Sequence, residues 1–368
     1  MRILFISNPN SIHTRRWVSW FALHGHEVCV VGDTRLVQPW SEMTVIDLPA
    51  RFNAPALRWP VWAVWIRQIV RRWQPEVLHA HRVSSAGWLG AASGFHPLVV
   101  TPWGTDLYQH PQRSRLARWL AEYTMHRADL VTADSEDLCQ LAIRFGADAE
   151  HTHFIQWGVD TALFRPGIAT SQLRQRLDLG TRPVLLSLRG VQPIYSLDII
   201  IASLPSVLAR FPDTALVLRD YNSDPVTKNR LQKQISELGL DNSVRWVGAV
   251  SQYQDSVDIY RLAQVAISVP ISDSTPISVL EAMACGAPVI ASDLPSLREW
   301  ITPGENGLLV PVGDAEALAQ AIVDLLASPQ RQADFSQRNL DLIRQRADHD
   351  SEMGKMEALY ARLVKPAQ

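Results

Sequence analysis

The chain has 368 residues, 47% hydrophobic and 20% charged, the balance of a globular protein of about two domains rather than of a disordered chain. Its 35 basic and 37 acidic residues leave a formal net charge of -2, so no molecule-wide field gathers nucleic acid, and none is expected as a partner. Cys29, Cys139 and Cys285 are odd in number and lack C-x-x-C spacing, which argues against a disulfide framework or a zinc site and suits a reducing compartment.

Met1-Arg2 leads directly into Ile3-Leu4-Phe5-Ile6, an apolar run too short for a signal peptide, and no later run reaches membrane-spanning length. A cytoplasmic protein without a transmembrane segment is therefore expected. Short β-branched runs then alternate with longer amphipathic stretches, the pattern of strands feeding helices in a parallel sheet. The first series of strands is expected at Arg2–Ser7, Val28–Gly32, Val77–Ala80, Leu98–Thr101 and Leu130–Ala133. Within it, Arg58 to Trp73 carries Trp59, Trp62, Trp65 and Trp73 among Arg58, Arg67, Arg71 and Arg72. Such a helix suits peripheral contact with an anionic membrane, although Trp62, Trp65, Ile66, Ile69 and Trp73 form one stripe of the kind that more often faces a core. After Phe164-Arg-Pro-Gly167 a second series is expected at Val184–Leu188, Ala215–Leu218, Val244–Val247, Val265–Val269, Pro288–Ala291 and Gly307–Val310. The fold expected is α/β: two doubly wound Rossmann-like domains, residues 1–166 and 167–350, with a helix in 351–368 returning to the first. Ligands in such sheets bind outside the carboxyl ends of the strands, so two facing domains would enclose a cleft.

In the first domain, Ser7-Asn-Pro-Asn-Ser11 stands where a dinucleotide fold would carry G-x-G-x-x-G. His13 opens the next helix, with Arg15 and Arg16 close by. His79-Ala-His81 places two histidines on one strand face with no third ligand in sight, which favours hydrogen bonding over metal. Asp134-Ser-Glu-Asp137 reads as a capped first helical turn with Ser135 as the cap, not as a D-x-D metal site.

In the second domain, Arg189 ends a strand where a guanidinium can grip a diphosphate bidentately, the alternative being a surface cation. The densest signal is Asp273-Ser-Thr-Pro-Ile-Ser-Val-Leu-Glu281, continuing Ala-Met-Ala-Cys-Gly-Ala-Pro-Val-Ile. Thr275 as N-cap and Pro276 as first helical residue leave the amides of Ile277 and Ser278 pointing out of the helix end, where a phosphate can dock. Glu281 then lies about 6 Å further along, the span from a diphosphate to its ribose hydroxyls. The competing reading is a capping box, Ser278-Val-Leu-Glu281.

This segment resembles the E-x7-E signature of the family-four, group 1 retaining glycosyltransferases of GT-B fold, including the continuation L-E-A-M-A-x-G-x-P-V-I. The likeness extends through Trp157-Gly-Val-Asp160, Phe164-Arg-Pro166, Val244-Arg-Trp-Val-Gly248 and Glu305-Asn-Gly-Leu-Leu309. It implies transfer of a sugar from a nucleoside-diphosphate sugar to a hydroxyl on a glycan or lipid-linked acceptor, with retention and with neither metal nor further cofactor. The resemblance also implies the roles of individual residues. Asp273 contacts sugar hydroxyls, Ser274, Thr275, Pro276, Ile277 and Ser278 line sugar and phosphate, Glu281 holds ribose, and Trp246 and Val247 lie on the donor side. Asp273 replaces the usual glutamate, and Tyr195 stands where a lysine would follow Arg189 by six positions. Arg219, in a turn that is usually glycine-rich, is the cation expected to compensate, unless it pairs with Asp220 or with a neighbouring helix. Trp103-Gly-Thr-Asp106 resembles the family's H-G-x-D stretch with tryptophan for histidine, which makes Asp106 a candidate for sugar contact and Asn10, His13, Trp103 and Thr105 candidates on the acceptor side. A catalytically silent domain of the same fold and a sugar-nucleotide epimerase are the alternatives.

Overall fold

Apolar runs buried on both faces become parallel strands, and the computed structural model places them in two sheets. It describes residues 1–32, 34, 36–37, 40, 44–48, 55–248 and 256–364, with 55–58 described by backbone alone. The first sheet contains β1 (Arg2–Ser7), β2 (Glu27–Gly32), β3 (Thr44–Asp47), β4 (Val77–His81), β5 (Leu98–Thr101), β6 (Leu130–Ala133) and β7 (Thr152–Phe154), ordered β3-β2-β1-β4-β5-β6-β7. The second contains β8 (Val184–Ser187), β9 (Ala215–Asp220), β10 (Val244–Gly248), β11 (Val265–Ser268), β12 (Val289–Ser292) and β13 (Gly307–Val310), ordered β10-β9-β8-β11-β12-β13. Strand order reverses beside β1 in one sheet and beside β8 in the other, and loops at such switch points are where this architecture binds ligands.

Every expected strand is present within a residue or two of its expected ends. The two further strands, β3 and β7, are short edge strands whose residues are half-buried or exposed, so they lack the apolar run that marks the others.

The chain divides into two units, Met1–Trp157 with Asp350–Gln368, and Gly158–His349. The division thus falls before residue 166, for a local reason. The Val159 amide donates to the Ala347 carbonyl at 2.7 Å, and Phe164 packs edge-on against Tyr260 at 5.5 Å, which ties this segment to the second unit. The helix His349–Val364 returns to the first unit, as expected. There Trp20 Nε1 donates to Asp350 at 2.9 Å, the Gln156 amide donates to Glu352 at 3.0 Å, and Tyr360 is fully buried against His79.

The tryptophan-rich helix Pro55–Trp73 turns most of its stripe inward. Trp62, Ile66 and Ile69 are buried in the core of the first unit, and Trp59 and Trp73 pack against it. The stripe is therefore largely core, as its spacing more often means, and the tryptophans it contains are not free for membrane contact. Trp65 is the exception, at 40% exposure, and the Arg58 side chain lies outside the described residues.

The buried histidines of β4 give this unit a pH dependence. His79 pairs with Tyr360 and with Thr101 Oγ1 at 2.7 Å, and His81 Nδ1 with Ser7 Oγ at 3.2 Å. Burial, then the neighbouring His81, holds His79 well below the usual imidazole range, and burial, then Arg82 and His13, lowers His81 to about 3. Unfolded histidines take up protons near 6.5 while the folded ones do not, so the unfolded chain binds more protons and stability falls as pH drops below that value. Each histidine is expected to contribute about 1.4 kcal/mol of loss per pH unit between roughly pH 6 and 4. Urea unfolding followed by tryptophan fluorescence at stepped pH checks this. A His79→Gln chain is expected to show a shallower pH slope, and an unchanged slope would refute the assignment.

Candidate functional site

In the second unit the helix Ile277–Ala284 is buried throughout and starts beyond β11. Its N-cap is Pro276, in extended conformation, one residue later than the sequence suggests, and the Thr275 hydroxyl instead accepts a hydrogen bond from Trp300 Nε1 at 3.0 Å. The N-cap proline offers no side-chain cap, and Ser278 lies inside the helix two residues past it rather than at the cap position that a Ser278–Glu281 capping box requires. Ser278 Oγ instead accepts from Arg189 Nη1 at 3.2 Å. The first amides of a helix have no intrahelical partner, and they carry the positive end of its dipole.

Arg189 follows β8 and reaches the same helix end. Its Nη2 lies 2.8 Å from Asp273 Oδ2, and its guanidinium stacks 4.2 Å from the Tyr195 ring centre. Tyr195, in the position of the family's lysine, is a platform for the arginine rather than a second cation. Burial opposes the charge on Arg189, but Asp273, Tyr195 and Tyr221 outweigh it and hold the guanidinium charged. For Asp273 burial dominates and pushes the carboxyl up, against Arg189 and the Ser274 amide. The ion pair is close but poorly directed: Asp273 Oδ2 receives no aligned hydrogen bond, and Arg189 Nε is buried without a hydrogen-bond partner. Buried polar atoms in that condition are costly unless a ligand or water completes them.

Arg219 stands near the end of β9 and is 9% exposed. Asp220 is occupied by Lys228 and Ser223, each at 2.7 Å, so it is not the partner of Arg219. Arg219 Nη1 donates instead to the Tyr260 hydroxyl at 3.2 Å, and that hydroxyl donates to Glu281, which is 3% exposed. The guanidinium also lies 4.7 Å from the Tyr221 ring centre. Tyr221 is drawn in by Gly190, where any Cβ would lie 2.5 Å from the Tyr221 carbonyl oxygen. Tyr221 contributes to holding both arginines charged. Neither Tyr221 nor Tyr260 stood out in the sequence, since nothing in their spacing links them to Glu281. Trp246 packs on the core with the Lys228 ammonium 5.8 Å from its ring, and Val247 is buried in register with Arg219.

The first-unit candidates lie in the loops and first helical turns beyond the carboxyl ends of β1 and β5. Asp106 is buried, with one oxygen accepting from the Val83 amide at 2.6 Å and the other from the Trp103 amide at 2.8 Å, so it clamps two loops together. Thr105 is exposed at the start of the helix Thr105–Tyr108. Trp103 lies 5.1 Å from Trp157, 5.8 Å from His81 and 6.1 Å from His13 between ring centres, and the Arg82 guanidinium lies 4.7 Å over it. Asn10 Oδ1 accepts from the Val37 amide at 2.8 Å. Ser135 caps its helix through the Leu138 amide at 3.2 Å, as expected of a first turn. Among the described residues no group of three His, Cys, Asp or Glu side chains is placed to hold a metal ion.

Two family models match the two halves: "Glycosyl transferase 4-like" over residues 2–135 and "Glycosyl transferases group 1" over residues 170–341. The chain belongs to the group 1 glycosyltransferases, and its two parallel-sheet units are those of the GT-B fold. It is similar to D-inositol 3-phosphate glycosyltransferase 2 of Catenulispora acidiphila, at 29% identity over 72% of this chain and 66% of that protein. It is also similar to the GDP-mannose-dependent alpha-(1-6)-phosphatidylinositol monomannoside mannosyltransferase of Mycolicibacterium smegmatis, at 32% identity over 56% of this chain. The chain spans 55% of the length of that second relative. Among solved structures, Anabaena Alr3699/HepE in complex with UDP matches with a TM-score of 0.84 at 21% identity, covering 99% of this chain and 100% of that one.

The Tyr260 hydroxyl joins two buried charges, and its removal leaves each short of a hydrogen bond. Tyr260→Phe is expected to lower the stability of the second unit by about 1–3 kcal/mol. Urea unfolding of the full chain measures it, and a loss below about 0.5 kcal/mol would mean that the charges find other partners at little cost.

Proposed function

We propose that this chain transfers a sugar from a nucleoside-diphosphate sugar to a hydroxyl group of a glycan or lipid-linked acceptor, with retention of anomeric configuration. The observation that carries the reading is the convergence of Arg189, Asp273 and Ser278 at the N-terminus of the helix that also holds Glu281. An anion at that helix end meets first-turn amides and a guanidinium whose Nε lacks a partner, which suits a diphosphate. The complex of Anabaena Alr3699/HepE with UDP supports a nucleoside diphosphate as the leaving group. The two inositol-containing names among the relatives support a hydroxylated acceptor, in keeping with cell-surface polysaccharide or glycolipid synthesis at the inner face of the membrane.

In this reading the amides of Ile277 and Ser278 and the Arg189 guanidinium bind the diphosphate, Asp273 accepts from sugar hydroxyls, and Glu281 accepts from ribose. As the bond from the anomeric carbon to the phosphate oxygen breaks, Arg189 and Arg219 stabilise the charge that develops on the diphosphate. The acceptor oxygen bonds to the anomeric carbon on the same face, and its proton passes to the departing diphosphate. The protein's own residues supply binding and charge stabilisation, and no metal takes part in the proposed steps. In the first unit, Asn10, His13, Trp103 and Thr105 are proposed to meet the acceptor, with Asp106 acting through the loops it clamps. The absence of a cation at Tyr195 favours a second reading, a silent domain that binds the nucleotide sugar without turnover.

Nucleotide release from a panel of nucleotide sugars, with and without glycan and lipid-linked acceptors, separates the two. Binding of a donor with no release under any acceptor would favour the silent domain. In an active chain, Arg189→Ala is expected to lower kcat about 100-fold or more. Glu281→Gln is expected to weaken nucleotide affinity by about tenfold, a larger effect than its change in unfolding midpoint implies. Arg219→Ala within about twofold of wild-type turnover would remove its role in charge stabilisation, whereas rescue of that variant by Tyr195→Lys would support it.

A further inference from the structure

The helix Arg115–Arg127 carries apolar residues beyond those its packing needs. Ala117, Ala121, Thr124 and Met125 are buried toward the sheet. Leu116 and Trp119, spaced i and i+3, point away from that side of the helix, and Tyr123, half-buried against the core, stacks beside Trp119. Leu116 is 65% exposed and Trp119 is 55% exposed, and the Trp119 and Tyr123 rings stack at 5.5 Å. Single exposed apolar residues are ordinary on a protein surface, but Leu116 and Trp119 exposed side by side, with the Trp119 ring backed by Tyr123, form an apolar contact surface.

Charge identifies what it binds. Arg113, Arg115 and Arg118 are exposed beside this surface, and Glu122, the helix's only acidic residue, is paired with Arg118 at 2.8 Å. The helix Pro55–Trp73 has no acidic residue, exposes Val64 and Trp65 at 49% and 40%, and adds exposed Arg67, Arg71 and Arg72. Both helices feed the same core cluster, with the short helix Trp88–Ser93 packed against each, so they flank it on one face of the sheet. Arg67 locks this layer together by donating to the Ala92 and Ser93 carbonyls. Aromatic and aliphatic groups among arginines, with almost no negative charge, complement a layer of anionic headgroups over acyl chains.

We infer that the helix Arg115–Arg127, through Leu116, Trp119 and Tyr123, is the principal docking element of this protein on an anionic lipid bilayer, with the exposed arginines of the helix Pro55–Trp73 as a secondary contact. This places the contact on a different helix from the one the sequence suggests, because the tryptophan stripe of Pro55–Trp73 is mostly spent on the core. The inference concerns the first unit alone and does not need the donor site to be active.

The test is sedimentation of the full chain with phosphatidylcholine vesicles and with vesicles half phosphatidylglycerol, at low salt. Binding to the anionic vesicles is expected to exceed binding to neutral ones by about tenfold and to fall as salt rises. The double variant Leu116→Ser, Trp119→Ser is expected to lose about nine-tenths of that binding, with unchanged far-ultraviolet circular dichroism and unchanged affinity for UDP or GDP, whichever the wild type binds. Arg115→Glu, a fully surface substitution, is expected to lower it several-fold without touching the apolar residues. Quenching by brominated lipid is expected to be smaller in Trp119→Phe than in wild type. Wild-type protein left in the supernatant with anionic vesicles overturns the inference, as does wild-type binding by the double variant. A wild-type dimer that the double variant abolishes also overturns it, since the apolar surface would then be covered by a second copy of the chain.

Discussion

A carboxylate at Glu281, 3% exposed inside a fully buried helix, is the constraint around which the second unit is arranged. An ionised group in that position is tolerated only with hydrogen bonds and opposite charge close by. Tyr260 supplies the hydrogen bond, and Arg219, through the same hydroxyl, supplies the charge. Burial and the Glu281 carboxylate together hold the Tyr260 phenol protonated, which keeps it a donor. Tyr260 also packs against Phe164, so the segment after residue 157 is anchored to the network that holds the carboxylate.

A direct ion pair, Arg189 with Asp273, lies at the mouth of the same helix and differs in kind from that bridged arrangement. It is partly accessible, at 12% and 14% side-chain exposure, and it leaves Arg189 Nε unsatisfied. The inner charges are joined by a hydroxyl bridge, while the outer ones meet directly and leave polar atoms without hydrogen bonds. Tyr195 and Tyr221 line the two arginines with aromatic faces, which stabilise a guanidinium without competing for the anion it would bind. Tyr195 orients the Arg189 guanidinium but supplies no positive charge where a lysine would. The remaining arginine is fixed in orientation and kept fully charged.

The first unit depends on a comparable but neutral arrangement. His79 is closed on both nitrogens by Tyr360 and Thr101, and Tyr360 comes from the helix that returns from the far end of the chain. This uncharged network lets β4 carry two histidines through the core, and it couples the last helix to the centre of the first sheet. The Asp106 carboxylate clamps the loops after β4 and β5 by accepting from the Val83 and Trp103 amides, and the aromatic cluster of Trp103, Trp157, His13 and His81 is assembled beside them.

Much of this is legible in the sequence because it depends on local pattern. Buried strands announce themselves by β-branched runs, Ser135 by its place before a helix, and Asp273 to Glu281 by spacing along one helix end. The edge strands β3 and β7 escape notice because half-exposed residues need no apolar run. Other features are decided by tertiary structure alone. Whether the tryptophans of Pro55–Trp73 face lipid or core depends on which side of that helix meets the sheet. Arg219 turns to Tyr260 and not to Asp220 because Lys228, brought over from the next helix, already occupies Asp220. Tyr260 meets Glu281 across 21 residues of sequence, and Tyr360 meets His79 across 281. Sequence by itself determined the elements and the chemical types at their ends, since these follow from propensity and periodicity. The pairing of charges and rings was decided only by the fold, because packing brings together residues whose separation along the chain carries no signal.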